Sequence, residues 1–597
     1  MAVQSLHRDP FSRRIAIISL VVVVFYIVLI ARLVILQIIK HQYYWNQSIT
    51  ERTEPITRAA IRGDILDRNG RLLATNVLTV NLTADPTLMK SPPSELQRIA
   101  EVTGVSFAKL ESTLNQALNS WHGDHPLHFV ELATKIPPDA AHQIRQMNLP
   151  GIYVVHNYVR SYPLGPAAAQ VVGMVDMSAG SSMNGKLGIE MTYNSLLSGR
   201  EGIYSAQVDP LGRIIPSTKR VIKARKGGDS VQTTLDRDVQ TIAYQELMRA
   251  CAKQHPNYAC AIVMDPKTGD ILALVNYPTF DPNNRATLKT KWALRDVAVS
   301  SLYEIGSTGK LITACAALQD GVITPQTQFF CDGKLKVGRW TIHDAADGTK
   351  IGHGVETIKQ IIQNSCNVGA ATIGLKLGWT RLYDYINRFG MLDRINVGLP
   401  YEVRGSVFMG AADADHISPV KIADTSFGQS VAFTPLSVVA AYAAIANDGL
   451  RCSPRLISAL ITPNGHRINV PAPSPVRIVS PEVAQEVSQC LEAVVIGGTG
   501  VKAAVPGYMV AGKTGTSQEV IPGRPGYAPG RYVASFVGFL PANDPKVVIY
   551  VMLNDPKKGE YGGEVAAPVF QAIAQRLMWL WHIPPDVSQP EATLASQ

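Results

Sequence analysis

The sequence predicts an α+β protein in which a five-stranded antiparallel sheet carries helices on both sides. One N-terminal transmembrane helix and a support or recognition module of mixed α and β structure precede this domain. Three observations predict the architecture: a long apolar segment near the N-terminus, two groups of strand patterns with helical patterns between them, and a basic, glycine-containing stretch that separates two portions of the chain. At 597 residues the chain is too long for one ordinary core. Its composition excludes collagen-like, coiled-coil and fully disordered classes.

The apolar segment covers residues 15–39. A helix needs ~20 apolar residues to span a bilayer, and the continuity of this run favours membrane insertion over a buried core helix. Three arginines precede the segment: Arg8, Arg13 and Arg14. By the positive-inside rule, residues 1–14 then lie in the cytoplasm and the rest of the chain lies outside. No small-residue cleavage pattern closes the segment, so we predict an uncleaved signal anchor.

Charge and cysteine content exclude little. The formal net charge of +9 fits an anionic membrane surface or an anionic glycan as well as nucleic acid. No zinc-finger or aromatic-basic motif favours nucleic acid, so we expect none as a partner. The seven cysteines are odd in number and include no C-x-x-C pair, so they establish neither a disulfide nor a zinc site.

One cluster contains metal-like residues: His122, Asp124, His125 and His128. Gly123 and Pro126 disfavour a regular helix there, and we interpret the cluster as a solvated loop. The sequence therefore predicts no metal and no cofactor.

A predicted domain boundary lies at the basic stretch Lys223–Asp229. Residues 40–226 contain turn signals but no nucleophile with an adjacent base, so we interpret them as a support or recognition module. Residues 227–583 form the predicted domain with the five-stranded sheet. Residues 584–597 are rich in Pro, Ser and Gln and are predicted to be disordered.

Strand and helix patterns alternate along residues 227–583. A hairpin supplies the first two strands, and three more strands follow far downstream. The five candidates are Tyr258–Met264, Ile271–Asn276, Tyr508–Gln518, Tyr532–Phe539 and Val547–Leu553. Helical patterns lie between the two groups and after the last strand. They are Leu311–Leu318, Pro435–Ala446 and Ala566–Leu580.

Three short motifs stand in order within the same portion: Ser307-Thr-Gly-Lys310, Ser365-Cys-Asn367 and Lys513-Thr-Gly-Thr516. Each is common by chance, but their order and context together indicate a catalytic site. If Ser307 begins a helix, Lys310 lies one turn later on the same face, where its amine can take the hydroxyl proton. A lysine serves as a base only when desolvation and a neighbouring cation lower its pKa, and Lys513 is the candidate cation.

The other two motifs supply the remaining groups. Ser365 and Asn367, on a loop, would complete a relay that protonates the leaving amine and would hold the substrate amide. The hydroxyls of Thr514 and Thr516 can bind a terminal carboxylate, and Gly515 lets the substrate backbone approach closely. Backbone N–H groups of the nucleophile and of Thr516 would form the oxyanion hole.

A phosphate-binding loop is the rival interpretation of Gly306–Lys310. That loop requires a glycine where Glu304 stands and Ser or Thr where Leu311 stands, so the match fails twice. The serine interpretation is therefore preferred.

The three motifs resemble the Ser-x-x-Lys, Ser-x-Asn and Lys-Thr-Gly set of penicillin-recognising serine enzymes. Further segments resemble the non-catalytic boxes of class B penicillin-binding proteins: Arg62–Gly70, Arg160–Gly165 with Gly173–Asp176, and Gly185–Glu190 with Gly199–Gly202. The resemblance implies the penicillin-binding serine transpeptidase fold. It also implies a dimerisation-like pedestal in residues 40–226, a single-pass location in the bacterial inner membrane, and a periplasmic catalytic domain.

By the same resemblance the catalytic groups are the nucleophile Ser307, the base Lys310, and Ser365, Asn367 and Lys513. The implied reaction is D,D-transpeptidation of peptidoglycan stem peptides with release of D-Ala, and β-lactams are the implied inhibitors. Two segments, Gly498–Tyr508 and Tyr561–Phe570, resemble the division-specific type most. The implied partners are a membrane-embedded glycosyltransferase and other division proteins.

Several alternatives stay open. The elongation-specific class B enzyme is the second candidate. A β-lactamase or a D,D-carboxypeptidase uses the same motifs, but the anchor and the large pedestal argue against a soluble β-lactamase. A β-lactam-sensing receptor would usually have several membrane spans, and a catalytically silent division scaffold would not need intact motifs.

The chain departs from the family pattern at three positions. Gly309 stands where a bulkier residue is frequent, and a glycine inside a helix costs about 1 kcal/mol. Cys366 stands where serine is common, and Ser430 stands where glycine is expected. None of these changes removes a functional group, so they bear on rate and β-lactam sensitivity rather than on reaction type.

Overall fold

The computed structural model describes residues 10–121, 127, 129–176, 183–207, 215–344, 352–407, 417–521 and 526–586. The predicted solvated loop with His122, Asp124, His125 and His128 lies outside the described residues, as do most of the predicted tail and residues 1–9. Two compact units are present, one of Met1–Ala60 with Arg200–Lys226 and one of Ile61–Gly199 with Gly227–Gln597. The domain boundary near residue 226 stays a prediction.

The first unit contains the apolar anchor. An α-helix, Pro10–Val34, continues through a π-helical turn, Ile35–Ile39, and a second helix follows at His41–Arg52. Over Pro10–Ile39 the helix is long and apolar enough to cross a membrane, and its apolar side chains are exposed. It fits a single-pass membrane anchor, as predicted. A three-stranded antiparallel sheet completes the unit: Thr53–Arg58, Gly202–Gln207 and Arg220–Lys223.

The pedestal part of the second unit is a sheet covered by helices. Its strands are Ile65–Leu66, Leu72–Ala84, Val130–Ile136 and Ile152–Ser161. Its main helices are Pro92–Thr103, Phe107–Ser120 and Pro138–Met147. The sheet continues through Ser230–Thr233, Ile457–Ile461 and Arg467–Asn469, so strands from both predicted domains form one seven-stranded sheet.

A buried ion network lies in this pedestal. Glu190 accepts hydrogen bonds from Arg62 Nε at 2.6 Å and from Arg160 Nε at 2.7 Å. All three side chains are almost fully buried. Arg62 also donates to the side chains of Asn194 and Ser198. Three sequence segments quoted above for their resemblance alone therefore meet at one carboxylate, which gives them a structural role.

The central sheet has five antiparallel strands, in the order β2-β1-β5-β4-β3. The strands are β1 (Tyr258–Met264), β2 (Ile271–Tyr277), β3 (Ala511–Val520), β4 (Tyr527–Leu540) and β5 (Val547–Asn554). This confirms the predicted sheet. Strand β3 begins three residues later than predicted because Val505 and Tyr508 pair with each other in a turn. Strand β4 begins earlier because Tyr527 pairs with Val520.

Helices cover both faces of the sheet, as predicted. Successive side chains of strand β1 point to opposite faces of the sheet. Ala259, Ala261 and Val263 therefore pack on one face with helices Arg237–Gln254 and Ala567–Leu580. The intervening side chains pack on the other face with three helices: Lys310–Gln319, Pro435–Ala446 and Pro481–Gly497.

Shorter helices and a two-stranded ladder lie beside the group of three helices on this second face of the sheet. The helices are Ile358–Asn364, Asn367–Leu377, Trp379–Arg388 and Pro419–Ser426. A two-stranded ladder joins Gln328–Cys331 to Gly354–Thr357. Each of the three sequence-predicted helices is present within one residue of its predicted ends.

Candidate active site

The Ser307 motif lies at the entry to the buried helix Lys310–Gln319. Residues Gly306–Gly309 form a 3₁₀ turn, and the α-helix begins at Lys310. Lys310 is almost fully buried, and its Nζ lies 3.0 Å from Ser307 Oγ. The turn therefore places the hydroxyl and the amine in direct contact, as the spacing predicted.

The predicted loop is wrong for Asn367, which begins a helix, whereas Ser365 lies in the short turn before that helix. Ser365 caps the C-terminal end of the helix Ile358–Asn364 with a φ of 62°, and the next helix begins at Asn367. Cys366 stands between them, and its sulfur accepts a hydrogen bond from the Gly369 N–H at 3.2 Å. Two helices are thus joined by only two residues, Ser365 and Cys366.

The Ser365 hydroxyl is the centre of the polar cluster. Its Oγ lies 2.8 Å from Ser307 Oγ, 3.1 Å from Lys310 Nζ and 3.0 Å from Lys513 Nζ. Asn367 Oδ1 accepts a hydrogen bond from Lys310 Nζ at 2.8 Å. The structure therefore brings all five residues predicted as catalytic into one connected network.

Both lysines are buried, and burial shifts their proton affinity. Burial lowers the pKa of Lys310 to about 8, although the Asp344 charge opposes the shift. Burial, together with the neighbouring Lys310 charge, lowers the pKa of Lys513 well below its usual value. Removing charged amines from water disfavours their protonated form, so a neutral amine is available near neutral pH.

Acylation by a penicillin should therefore depend on pH through Lys310. Only the neutral amine can accept the Ser307 proton, so the second-order acylation rate is expected to rise by about tenfold per pH unit below pH 7. With a pKa of about 8 for Lys310, the rate should level off above that pH. Stopped-flow or gel-based labelling at constant ionic strength measures the profile. A flat profile between about pH 6 and pH 9 would contradict this role for Lys310.

The Lys-Thr-Gly-Thr motif lies on β3. The Thr514 Oγ1 lies 2.7 Å from Thr499 Oγ1, and the Thr516 Oγ1 accepts a hydrogen bond from the Gly562 N–H at 3.1 Å. The two threonine hydroxyls are thus oriented by neighbours that the motif reasoning missed. Their sequence signal was present, since Thr499 and Gly562 belong to the two segments quoted for resemblance alone.

Close packing explains why glycine stands at position 515, which the sequence did not show. A Cβ at this position would lie 2.4 Å from Ser535 Oγ and 3.0 Å from Thr308 Cγ2. The residue therefore lets β3 pack against its neighbouring strand and against the turn that carries the nucleophile.

Gly309 and Ser430, two positions where the chain departs from the family pattern, lie around the turn that carries Ser307. A Cβ on Gly309 would lie 2.9 Å from the Cα of Gly428, so this glycine permits a close backbone approach rather than weakening a helix. Ser430 has a φ of 57°, a conformation that favours glycine. Its N–H donates to Glu304 Oε1 at 3.0 Å, and Tyr527 donates to the other oxygen of that carboxylate. Burial raises the pKa of Glu304.

Replacing Gly309 with alanine is expected to destabilise the protein by about 1–3 kcal/mol, because the Gly428 backbone and the Ile305 side chain must shift to admit the new Cβ. The shift displaces the adjacent nucleophile turn, so penicillin acylation should slow as well. Thermal melting and acylation rates measure both effects. The control is Gly497→Ala, where the new Cβ would meet only the Gln363 side chain, at an ordinary 3.5 Å. Equal behaviour of the two variants would contradict the close-packing argument.

The fold and this arrangement of side chains fit a serine enzyme that uses a lysine base. Residues 259–575 match the penicillin-binding protein transpeptidase domain, and residues 57–233 match the penicillin-binding protein dimerisation domain. The chain belongs to the penicillin-binding protein transpeptidase family. Within it, the presence of both domains confirms the sequence-based assignment to class B. The transpeptidase domain, with relatives named peptidoglycan D,D-transpeptidase, confirms the predicted enzyme class, a serine-type D-Ala-D-Ala transpeptidase.

Relatives match along most of their length. Stage V sporulation protein D of Bacillus subtilis is 34% identical over 85% of this chain and 76% of its own. Peptidoglycan D,D-transpeptidase FtsI of Buchnera aphidicola is 30% identical over 97% of both chains. The crystal structure of Mycobacterium tuberculosis penicillin-binding protein 3 in complex with aztreonam superposes with a TM-score of 0.67 and 30% identity, over 89% of this chain and all of that one.

Proposed function

We propose that this protein is a peptidoglycan D,D-transpeptidase that cross-links stem peptides through an acyl-enzyme on Ser307. The observation that carries the proposal is the contact of the Ser307 hydroxyl with two groups at once. Lys310 Nζ lies 3.0 Å away and Ser365 Oγ lies 2.8 Å away. Both a proton acceptor and a proton relay are therefore in place beside the nucleophile.

The acylation step follows from these distances. Neutral Lys310 accepts the Ser307 proton while Oγ attacks the carbonyl carbon of the D-Ala-D-Ala peptide bond. The amine of the terminal D-Ala must gain a proton to leave. The Ser365 hydroxyl can deliver it, because its oxygen lies 3.1 Å from Lys310 Nζ and can be reprotonated by Lys310, which has just accepted the Ser307 proton.

Strand β3 would bind the donor peptide, and the acyl-enzyme is then resolved by an acceptor amine. The hydroxyls of Thr514 and Thr516 would bind the terminal carboxylate of the donor peptide. The backbone N–H groups of Ser307 and Thr516 would stabilise the oxyanion. The amine of a neighbouring stem peptide then attacks the ester. The protons move back through the same groups, and Ser307 is released. A β-lactam enters as the donor does and leaves a stable ester.

Turnover tests this reaction directly. The full chain in detergent micelles is incubated with a donor that ends in D-Ala-D-Ala and an amine acceptor, and released D-Ala and the cross-linked product are quantified by mass spectrometry. Equal amounts of D-Ala and cross-linked product are expected, and prior treatment with a penicillin should remove both. Release of D-Ala without any cross-linked product would identify a D,D-carboxypeptidase instead.

The cellular role that we propose is septal wall synthesis. The two segments that resemble the division-specific type, and a relative named FtsI that matches 97% of the chain, support it. The N-terminus would lie in the cytoplasm and the catalytic domain in the periplasm, anchored in the inner membrane. Because we recognise no glycosyltransferase domain in the sequence, we propose a membrane-embedded glycosyltransferase as a partner, together with other division proteins.

Depletion of the protein in its own bacterium separates the two roles. A septal enzyme should accumulate at the division site as a fluorescent fusion, and its depletion should produce filaments. Dispersed fluorescence with rounded cells on depletion would assign the elongation role instead. A catalytically silent scaffold would also give filaments, but the Ser307→Ala protein would then restore division.

A further inference from the structure

A buried cluster of two thiols and a carboxylate lies behind the Ser365–Asn367 junction. Cys331, Glu356 and Cys366 are each at most 2% exposed. One ligand atom from each lies within 4.8 Å of the other two. Strand pairing explains the geometry, because Phe329 lies opposite Glu356 and Cys331 opposite Gly354, so Cys331 and Glu356 share one face of the ladder. Neither thiol is engaged in a disulfide.

The polar groups of this cluster are incompletely satisfied. Glu356 Oε1 accepts a hydrogen bond from Asn364 at 2.8 Å, whereas Oε2 is buried without a hydrogen-bond partner. His353 Nε2 is also buried without a hydrogen-bond partner, 3.5 Å from Asp344 Oδ2. Leaving such groups unsatisfied costs about 1–3 kcal/mol each. A cation between the sulfurs and the carboxylate would satisfy Glu356 Oε2 and remove the cost of burying that atom.

We propose that Cys331, Glu356 and Cys366 bind a zinc ion. Two sulfur ligands and a carboxylate suit Zn²⁺, whereas Mg²⁺ and Ca²⁺ prefer oxygen ligands alone. With Zn–S bonds of about 2.3 Å, two sulfurs in a tetrahedral site lie about 3.8 Å apart, so small side-chain rotations suffice. Asp344 is the candidate for a fourth ligand, since its Oδ2 lies 3.2 Å from Cys331 Sγ.

The ion would hold the catalytic junction in place. Cys366 stands between Ser365 and Asn367, and Asp344 Oδ1 accepts a hydrogen bond from the Asn367 N–H at 3.1 Å. A ligand bond to the Cys366 sulfur would thus restrain both neighbouring side chains. The site acts as a positioning device, and zinc takes no part in the proposed acyl transfer.

Metal content and thiol state test the proposal on the full chain in detergent, purified without chelators. Plasma mass spectrometry is expected to find about one zinc per chain after dialysis, and Cys331→Ser and Glu356→Gln should each lower it at least fivefold. Cys490→Ser is the matched control, since it also removes a buried thiol and should keep the metal. Replacement by Co²⁺ should give thiolate-to-cobalt absorption in the near ultraviolet.

A wild-type chain that takes up neither zinc nor cobalt from a severalfold excess, with all seven thiols free, would overturn the proposal. A Cys331–Cys366 disulfide in peptide mapping would overturn it equally. These measurements on the wild type stand even if a variant fails to fold. Penicillin labelling of the same samples keeps a failure of the zinc site distinct from a failure of the proposed acyl-enzyme.

Discussion

The Ser307→Ala variant is expected to form no covalent adduct with a fluorescent penicillin, a loss of at least about 10⁴-fold in acylation rate. The reason is that the Ser307 hydroxyl is the proposed attacking group, and it lies 3.0 Å from the buried Lys310 amine and 2.8 Å from the Ser365 hydroxyl. Removing the oxygen deletes the attacking atom, whereas the surrounding groups remain. The loss of these hydrogen bonds should cost only about 1 kcal/mol of stability.

Intact-mass spectrometry of the full chain measures the adduct, and a melting curve verifies that the variant is folded. The matched control is Ser301→Ala, which removes another buried hydroxyl, one that has no hydrogen-bond partner. That control should be labelled as the wild type is. Labelling that persists in Ser307→Ala would place the nucleophile elsewhere, and an unlabelled wild type would favour a scaffold or a requirement for a partner.

The sequence predicted the catalytic residues because their spacing is local or their motif is specific. The Ser307–Lys310 contact is one helical turn, which periodicity alone foresees. The contact of Ser365 with Lys513 is 3.0 Å in space but 148 residues along the chain, and it was predicted only through the resemblance of the motifs. Local patterns carry no information on such distances.

What the sequence did not predict depends on tertiary contacts. The hydrogen bond between Thr499 and Thr514, and the bonds that link Glu304 to Ser430 and Tyr527, join segments whose approach no local pattern encodes. The same holds for the two-residue junction of Ser365 and Cys366, since the helices on either side of it lie in a segment that was interpreted as a loop. The positions of strands β1 and β5 were predicted well, because these fully buried strands are nearly continuous apolar runs.

The Glu190→Ala variant is expected to lose about 3–5 kcal/mol of stability. The carboxylate holds two guanidinium groups, Arg62 at 2.6 Å and Arg160 at 2.7 Å, in a site where all three side chains are excluded from water. Removing it leaves two buried positive charges without their counter-ion, and each then bears its desolvation cost uncompensated. Urea unfolding followed by circular dichroism measures the effect as an earlier transition of the pedestal.

An exposed ion pair is the appropriate control. Asp544 contacts Lys267 at 2.7 Å, but both side chains are more than half exposed. Solvent screens such a pair, so Asp544→Ala should change stability by at most about 1 kcal/mol. If Glu190→Ala were equally mild, the network would not stabilise the pedestal, and the convergence of its three segments would need a reason other than folding. If Glu190→Ala lowers stability by the expected amount, but the protein that remains folded still forms the penicillin adduct on Ser307, the network supports the fold without entering the reaction.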